Sequence, residues 1–433
     1  MDKIIETCTR VEGHGNLNFI FKSEELSHTE FTFSLYRGFE NLLIGKKLSD
    51  IPKIVSRVCG LCYSSQTIAS CKAVEDIYGI EPSVKSIILR RILMTSELIR
   101  SHLLHFFYQT FPDLLHIFNL AKGTSTPYAI FNYNDQFTTN VYNLLKISSD
   151  INRLIGGRVT HPITVIPGGI INNPKKNELL IIQKQLKRAR DYARNLIELA
   201  CNLFSKESPP KEFEFPDTYL LGLSNEDFYS RYEGNIIIHN LASKSQVLEP
   251  SRYNEIFDKS PELYGINFQD ISANQVLTGP YARFQIKNAY AYDVISEYIT
   301  QFETSWKNNL LFINFLQLFE VFLEIIRSIE LLPDDFIHNK WTITPLKTIE
   351  KKEGIGLVEA PRGLLMHHYQ INDDERIKSA KLFIATEFNL PIINEMIAKY
   401  ARELFLKQDI NTVKEKVQMM VRCFDPCISC LSH

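Results

Sequence analysis

Two cysteine pairs near opposite ends of the chain place the strongest constraint on its fold. Cys59 and Cys62 stand in RVCGLC, and Cys427 and Cys430 stand in DPCISC. Four thiolates brought together by the fold would form a soft-ligand cage for nickel, iron or zinc. Cys62 and Cys427 are 365 positions apart. A shared metal would therefore require the first and last parts of the chain to meet in one core.

Composition and charge exclude several classes of protein. The chain has 433 residues, 45% of them hydrophobic, and a formal net charge of −2. It can bury a large core, and its charge gives no indication of binding to nucleic acid or to acidic membranes. The N-terminus MDKIIETCTR lacks the apolar segment of a signal peptide, so we expect a cytoplasmic protein with reduced cysteines. The apolar window LLFINFLQLFEVFLEII carries polar residues three or four positions apart, which predicts a helix with one solvated stripe rather than a membrane span.

Hydrophobic periodicity predicts a mainly helical α+β fold, forming a single domain over residues 1–433. Helical spacing predicts a large core of helices at Pro82 to about residue 120, 135–156, 174–206 and 289–331, with two more before DPCISC. Strand patterns predict small sheets near the N-terminus at 10–37, in a peripheral region at about 209–285, and near the C-terminus in KLFIATEF. Glycine and proline predict loops at GGRVTHPITVIPGGI and around APRGLLMHHY.

Each motif has a simpler interpretation when it is considered alone. Two CxxC pairs can hold a structural zinc ion, although such sites usually close a short loop. Glu12 in RVEGHG and Glu40 in RGFE could stabilise surface turns, and Arg362 in APRG could be a solvated loop arginine. The histidines of the predicted helices and loops are expected to pack or to form hydrogen bonds rather than to bind metal: His102, His105, His161, His367 and His368.

The motifs together are more specific than any one of them. RVEGHG, RGFE, RVCGLC, APRGLL and DPCISCLSH occur in this order from residue 10 to residue 433. In this combination the chain closely resembles the large, catalytic subunit of nickel–iron hydrogenases. The strings GGRVTHP and PGG and the short length are most similar to the cytoplasmic, multi-subunit branch of that family. One position departs from the family, which usually has histidine where this chain has Gln66. Glutamine can still donate a hydrogen bond near the bridging sulfur, so we expect a tuned site.

The resemblance implies a nickel–iron centre held by the four cysteines. Cys59 and Cys427 would be terminal ligands of nickel, and Cys62 and Cys430 would bridge nickel to an iron that carries carbon monoxide and cyanide. Soft thiolates suit nickel, and such a centre would split dihydrogen heterolytically into hydride and proton. Cys427 is the thiolate expected to receive the proton.

Further residues would complete this site. By resemblance, Arg362 would lie over the open coordination position, and Pro361 and Asp425 would complete the inner shell. Positive charge from Arg57 and Arg362 is expected to help keep the cysteines deprotonated. Glu12 would accept the proton from the thiolate and relay it.

The resemblance also implies a second metal and protein partners. Glu40 and His433 would bind magnesium, or iron, near the C-terminus. The remaining cysteines lack the spacing of an iron–sulfur cluster: Cys8, Cys71, Cys201 and Cys423. Electrons would therefore pass to an iron–sulfur small subunit. Further electron-transfer subunits could use a nicotinamide, a deazaflavin, ferredoxin or a disulfide reductase module.

Two other classes of protein remain as alternatives. One is a catalytically inactive relative, such as the quinone-site subunit of respiratory complex I, in which a related fold serves as an interaction scaffold. That relative lacks the cysteine pairs, so the four cysteines weigh against it. The other is a structural zinc scaffold, which elemental analysis and infrared spectroscopy would distinguish.

Overall fold

The computed structural model describes residues 2–34, 38–120, 135–224, 230–240, 245–260, 265–286, 293–333, 336 and 341–431. Within these residues the helices are α1 (Gly38–Leu43), α2 (Ile51–Val55), α3 (Tyr63–Tyr78), α4 (Val84–Leu104), α5 (Phe111–Ile117), α6 (Asp135–Gly156), α7 (Lys176–Phe204), α8 (Pro280–Ile286), α9 (Asp293–Ile299), α10 (Phe312–Glu330), α11 (Ala385–Phe405), α12 (Ile410–Cys423) and α13 (Ile428–Leu431).

The strands are short and form several small sheets. They are β1 (Lys3–Cys8), β2 (Gly15–Lys22), β3 (Glu25–Phe33), β4 (Val165–Ile166), β5 (Gly169–Ile170), β6 (Tyr219–Ser224), β7 (Asn235–Asn240), β8 (Gln246–Leu248), β9 (Phe257–Lys259), β10 (Ile266–Phe268), β11 (Val276–Thr278), β12 (Glu353–Ala360), β13 (Gly363–Ile371) and β14 (Ile377–Phe383). The predicted mainly helical α+β class is confirmed.

Long helices form the centre of the molecule. Ser83 caps α4 by accepting a hydrogen bond from the backbone N–H of Ser86. A π-helical turn, His105–Thr110, then joins α4 to α5. This continuous stretch confirms the long helix predicted to begin near Pro82. α4 packs on α6 and α10, and α7 packs on the same two helices. The apolar faces of these helices thus bury one another in a common core.

The polar stripe of α10 is buried, whereas the sequence predicted that it would be solvated. Glu320 is fully buried and Glu324 is 7% exposed. Arg283 donates to both oxygens of Glu320 at 2.6 and 2.7 Å, and Arg231 donates to Glu324 at 2.9 and 3.0 Å. Buried carboxylates need such partners because losing hydration is costly. The prediction was wrong because these arginines come from distant parts of the chain. Among the described helices, none is both long and apolar enough to cross a membrane.

Three sheets correspond to the predicted strand regions. The N-terminal sheet has the antiparallel order β1–β2–β3, and its first strand precedes the predicted region 10–37. In the 209–285 region the order is β11–β6–β7–β8, with β11 and β6 parallel. The C-terminal sheet is the antiparallel β12–β13–β14. In KLFIATEF the strand ends at Phe383 and α11 begins at Ala385.

The APRGLLMHHY segment is a hairpin, not the loop that the sequence predicted. Ala360 pairs with Gly363, so Pro361 and Arg362 are the two residues of the turn between β12 and β13. Proline indicated a break, but the break spans only these two positions, and the apolar residues that follow pair in the sheet. α3 packs directly on β12. The two backbones are so close that a side chain at Gly356 would collide with the carbonyl oxygen of Ala69. This contact brings the helix that follows Cys62 next to the turn that carries Arg362.

Candidate metal centre

The four cysteines of the two pairs converge in one buried cluster. Their sulfur atoms all lie within 4.8 Å of one another. The Sγ–Sγ distances are 3.3 Å between Cys59 and Cys427, 3.2 Å between Cys62 and Cys430, and 2.9 Å between Cys427 and Cys430. The structure thus brings together the first and last parts of the chain at this cluster.

Backbone contacts position the C-terminal pair. α12 ends at Cys423, and Asp425 has a φ of +52°, in the left-handed region that non-glycine residues seldom adopt. The chain then pairs with the RVEGHG segment, where the backbone N–H of Ile428 donates to the carbonyl of Glu12 at 3.0 Å. The backbone N–H of Cys427 donates to Thr386 Oγ1 at 3.0 Å. These bonds hold the DPCISC segment between the N-terminal sheet and the start of α11.

A buried glutamic acid side chain positions the N-terminal pair. Cys62 is the N-cap of α3, and Glu97 of α4 accepts hydrogen bonds from the backbone N–H groups of Ser64 and Ser65 and from the Ser65 hydroxyl. Glu97 is fully buried. Unpaired N–H groups at a helix N-terminus favour a carboxylate there. No motif in the sequence singled out Glu97, although an acid on the apolar α4 was a usable signal.

Glu97 makes the stability of the protein depend on pH. Burial raises its pKa to about 8 from 4.5, although the bonds from Ser65 and Ser64 oppose this shift. A raised pKa means that Glu97 stabilises the fold fully below about pH 4.5 and that this stabilisation is lost as the pH rises through about 8. We expect Glu97→Gln to remove this dependence. The free energy of unfolding of the parent, measured by urea titration from pH 5 to 8, should fall relative to that of the variant, by at most about 1.4 kcal/mol per pH unit.

The control for this prediction is Asp373→Asn, because Asp373 is exposed and pairs with Lys352 at the surface. Its stability difference from the parent should change little over the same pH range. Parallel pH profiles for the parent and Glu97→Gln would show that Glu97 does not change its protonation on unfolding in this range.

Glu12 contacts the cysteine cluster directly. The Cys427 thiol donates to Glu12 Oε2 at 3.1 Å. Ser429 donates to the same carboxylate, through its backbone N–H at 3.0 Å and its hydroxyl at 2.5 Å. Gly13, with a φ of +87°, lets the turn approach closely, since a side chain there would collide with Ile428. The simpler interpretation of Glu12 as part of an ordinary surface turn is therefore wrong, and Ser429 is a partner that the sequence did not indicate.

Arg362 and Asp425 form a buried ion pair beside the cluster. Arg362 Nε and Nη2 donate to Asp425 Oδ1 at 2.9 and 2.6 Å, and Nε also donates to the Asp425 carbonyl at 2.8 Å. Ser101 Oγ accepts from Arg362 Nη1 at 3.1 Å. Gln317 Nε2 donates to Asp425 Oδ2 at 3.0 Å. Arg283 donates to the carbonyl of Pro361 at 2.7 Å and so fixes the turn. Arg362 is therefore not a solvated loop residue.

The four thiols differ in acidity. Hydrogen bonds from Cys427, Cys430 and Cys62 lower the pKa of Cys59 well below its usual value, and the charge of Arg362 lowers it further. Burial raises the pKa of Cys427 and Cys430 well above the usual value. A cation bound here must therefore displace protons from the thiols. Arg57 was also predicted to help keep the cysteines deprotonated. Its side chain is exposed, so its charge favours the thiolates less than that of the buried Arg362.

Gln66 links the cluster to a histidine. Its Nε2 lies 3.8 Å from Cys62 Sγ, and its Oε1 lies 2.7 Å from His367 Nε2. His367 was expected from the sequence to pack or to form hydrogen bonds, and no sequence signal connected it with the site. The other histidines form hydrogen bonds as expected: His102 with Glu320, His105 with Gln317, His161 with the Ser56 carbonyl, and His368 with Tyr253.

Of the two residues predicted to bind a second metal, the structure describes Glu40. Glu40 Oε1 accepts a hydrogen bond from the backbone N–H of Leu382 at 2.8 Å and lies 3.6 Å from Lys259 Nζ. Lys259 also binds both oxygens of Glu387 at 2.7 Å. His433 lies outside the described residues.

The other cysteines do not form a second cluster. Cys8, Cys71, Cys201 and Cys423 are buried and free. Burial raises the pKa of Cys8, Cys201 and Cys423 to about 12. In the part of the chain that the structure describes, the four-cysteine cluster is the one group of three or more histidine, cysteine or acidic side chains with converging ligand atoms.

Comparison with known proteins decides the family. Residues 37–155 and 312–433 match the family described as nickel-dependent hydrogenase. The chain belongs to this family. The resemblance predicted from the motifs is thereby confirmed, and the protein is a hydrogenase, an oxidoreductase.

Relatives of this hydrogenase align along nearly all of it. One of them, from the F420-non-reducing hydrogenase vhc of Methanococcus voltae, is 26% identical, over 99% of this chain and 94% of its own length. The beta subunit of the NAD-reducing hydrogenase HoxS of Cupriavidus necator is 24% identical with the same coverage. The crystal structure of an NAD+-reducing [NiFe]-hydrogenase in the H2-reduced state is similar in fold, with a TM-score of 0.90, 22% identity and full coverage of both chains.

Proposed function

We propose that this hydrogenase is the catalytic subunit of a cytoplasmic nickel–iron enzyme that cleaves dihydrogen reversibly and heterolytically. The observation that supports this most directly is the four-cysteine cluster with a carboxylate on one thiol and an arginine–aspartate pair beside it. A structural zinc site needs the four sulfurs but has no use for a carboxylate hydrogen-bonded to one of them.

The donor set fits a nickel–iron centre. Four buried thiols within 4.8 Å of one another provide soft ligands, which suit nickel and low-spin iron better than a hard cation. We propose Cys59 and Cys427 as terminal ligands of nickel, and Cys62 and Cys430 as bridges to an iron that carries carbon monoxide and cyanide. When bound, this centre supplies the Lewis acidity that polarises dihydrogen.

Residues of this chain would transfer the proton. Cys427 Sγ is 3.1 Å from Glu12 Oε2, within reach of direct proton transfer. Ser429 holds the carboxylate through two bonds, so the accepting oxygen keeps its position. We propose that Glu12 accepts the proton from Cys427 and passes it towards solvent, since Glu12 is only partly buried.

Arg362 would orient and screen the site. Asp425 holds the Arg362 guanidinium in place by accepting three hydrogen bonds from it. The positive charge of Arg362 lies near the thiols of Cys59 and Cys427, and both thiols contribute to the raised pKa of the arginine. We propose that Arg362 lies over the open coordination position, with Pro361 and Asp425 completing the inner shell. A fixed charge in a water-poor site stabilises developing charge without a reorganisation cost.

Electrons released at the centre must pass to a partner subunit. The other four cysteines are dispersed, which supports the proposal of an iron–sulfur small subunit bound to this chain. The relatives include subunits of F420-non-reducing and NAD-reducing hydrogenases. We propose that this chain likewise works with further electron-transfer subunits, whose acceptor could be a nicotinamide, a deazaflavin, ferredoxin or a disulfide reductase module.

We propose that Glu40 and His433 bind magnesium, or iron, at a second site. The Glu40 carboxylate is a suitable hard ligand. The Glu387 carboxylate lies nearby, since both carboxylates contact the ammonium of Lys259. The Lys259 ammonium would be the competing cation at these carboxylates. Metal binding here would attach the final residues to β14 through Glu40.

Deleting His433 should therefore lower the magnesium content of the purified protein, measured by elemental analysis. Nickel content should fall as well, because binding energy at the second metal orders the segment that presents Cys427 and Cys430. Ser432→Ala, which keeps the terminal histidine, is the control and should retain both metals. A truncated protein with full metal content and normal activity would show that the last residue is only a frayed end.

Elemental analysis and infrared spectroscopy of the purified complex test the proposed function. We expect nickel together with iron in the complex, and infrared bands from carbon monoxide and cyanide. Zinc without these bands would overturn the hydrogenase mechanism proposed here and favour a structural site. An active, redox-competent chain purified without a partner would contradict the proposed small subunit.

A further inference from the structure

A chain of buried polar side chains leads away from the cysteine cluster. Gln66 Nε2 lies 3.8 Å from Cys62 Sγ, and Gln66 Oε1 lies 2.7 Å from His367 Nε2. His367 Nδ1 lies 2.7 Å from the Tyr369 hydroxyl, which is 3.0 Å from Ser70 Oγ. Gln66, Ser70, His367 and Tyr369 are all fully buried, so each must satisfy its hydrogen bonds within the chain.

This arrangement follows from two matched periodicities. Cys62, Gln66 and Ser70 recur every four residues and therefore share one face of α3, where four residues rise about 6 Å. His367 and Tyr369 are two residues apart on one face of β13, where two residues span about 6.6 Å. Because the two spacings are nearly equal, Gln66 meets His367 and Ser70 meets Tyr369. His368 belongs to the opposite face, where it contacts Tyr253.

The direction of these hydrogen bonds determines which end of the Gln66 carboxamide faces Cys62 Sγ. A carboxamide has a donating end and an accepting end, and only the N–H end can stabilise a thiolate ligand. That orientation turns Oε1 towards His367, so His367 must carry its proton on Nε2. Its Nδ1 then accepts from the Tyr369 hydroxyl at 2.7 Å, so the single proton of this hydroxyl must turn from Ser70 Oγ, 3.0 Å away, to Nδ1, and the Ser70 hydroxyl must donate to Tyr369 instead. Burial raises the pKa of Tyr369 well above its usual value, so this hydroxyl keeps its proton.

We propose that His367 is a positioning residue that fixes the Gln66 carboxamide with its N–H towards Cys62, and that Tyr369 fixes the required tautomer of His367. The proposal rests on the proposed role of Cys62 as a metal ligand. A hydrogen bond to a bridging thiolate withdraws electron density from the metals, which is how surrounding residues tune a metal centre. Gln66 at the position usually occupied by histidine would thus act together with a histidine from β13.

Infrared spectroscopy of the loaded complex is the first test. Gln66→Leu and His367→Phe should both move the carbon monoxide and cyanide bands to lower wavenumber, because the sulfur donates more strongly without the hydrogen bond. The double variant should show no larger shift than either single one, since both remove the same bond. His368→Phe, from the opposite face of the strand, is the control and should leave the bands in place. Unchanged bands in His367→Phe with normal nickel, or additive shifts in the double variant, would overturn the proposal.

Nuclear magnetic resonance of the protein labelled with ¹⁵N-histidine is the second test, and it does not depend on the metal ligands. The resonances of His367 are those absent from His367→Phe. We expect a neutral imidazole with its proton on Nε2, and Tyr369→Phe should abolish the preference for that tautomer. A proton on Nδ1 in the parent would overturn the proposal. If the parent lacked the infrared bands, the proposed function would fail, and this measurement would still decide the role of His367.

Discussion

Glu12→Gln is expected to lower hydrogen–deuterium exchange with solvent, and turnover, by about two or more orders of magnitude. The amide keeps the size of the carboxylate and can still bond to Ser429, so the protein should assemble its metals and bind dihydrogen. It cannot accept the proton from Cys427, whose sulfur lies 3.1 Å from Glu12 Oε2. Isotope exchange, measured by mass spectrometry beside nickel content and infrared bands, separates this loss from a failure of assembly.

Two further variants sharpen this test. Glu6→Gln changes an acid of β1 that pairs with Lys414 at the surface, and it should exchange isotopes at the parent rate. Glu12→Asp keeps a titratable group but shortens the side chain, so it should retain more activity than the amide. If Glu12→Gln exchanged isotopes at close to the parent rate with normal metals, another acid or a water chain near Arg362 would be the proton gate.

Arg362→Met should have the second large effect, on stability as well as on activity. The pair is buried, with Arg362 6% and Asp425 3% exposed. Removing the guanidinium leaves the Asp425 carboxylate without the cation that neutralises it, which typically costs about 3–5 kcal/mol. We therefore expect a fall of this size in the free energy of unfolding, measured by urea titration. Dihydrogen turnover should also be lost, since the fixed positive charge beside Cys59 and Cys427 disappears.

Companion variants separate the two effects. Adding Asp425→Asn to Arg362→Met should recover part of the lost stability, because it removes the unpaired charge, but it should not recover turnover. Arg362→Lys keeps the charge but not the planar fork that binds Asp425, so it should lie between the parent and Arg362→Met in stability. If the double variant were no more stable than Arg362→Met, the loss would come from packing of the arginine and not from the buried charge.

The family and the main helices could be predicted from the sequence because their signals are local or combinatorial. The 3.6-residue periodicity of α4, α6, α7 and α10 depends on neighbours a few positions apart. Five motifs in order identified the family, which the match of residues 37–155 and 312–433 confirms. The ligand roles, the second metal, the small subunit, the single-domain organisation and the cytoplasmic location remain predictions.

The partners of these residues could not be predicted before the fold was known. No sequence motif indicated the roles of Glu97 and His367, because each forms hydrogen bonds with a distant segment. Glu97 bonds to the start of α3, and His367 bonds to Gln66. The stripe of α10 shows the same limitation, since its spacing predicts one polar face but cannot distinguish solvent from a buried arginine.

The residue types at the site, the spacing of its motifs and the family to which they belong can therefore be read from the amino-acid order. The fold decided the burial, pairing and charge of those residues. The physical reason is that a hydrogen bond or ion pair depends on positions in space. Residues hundreds of positions apart, such as Glu12 and Cys427, meet only when the whole core has formed.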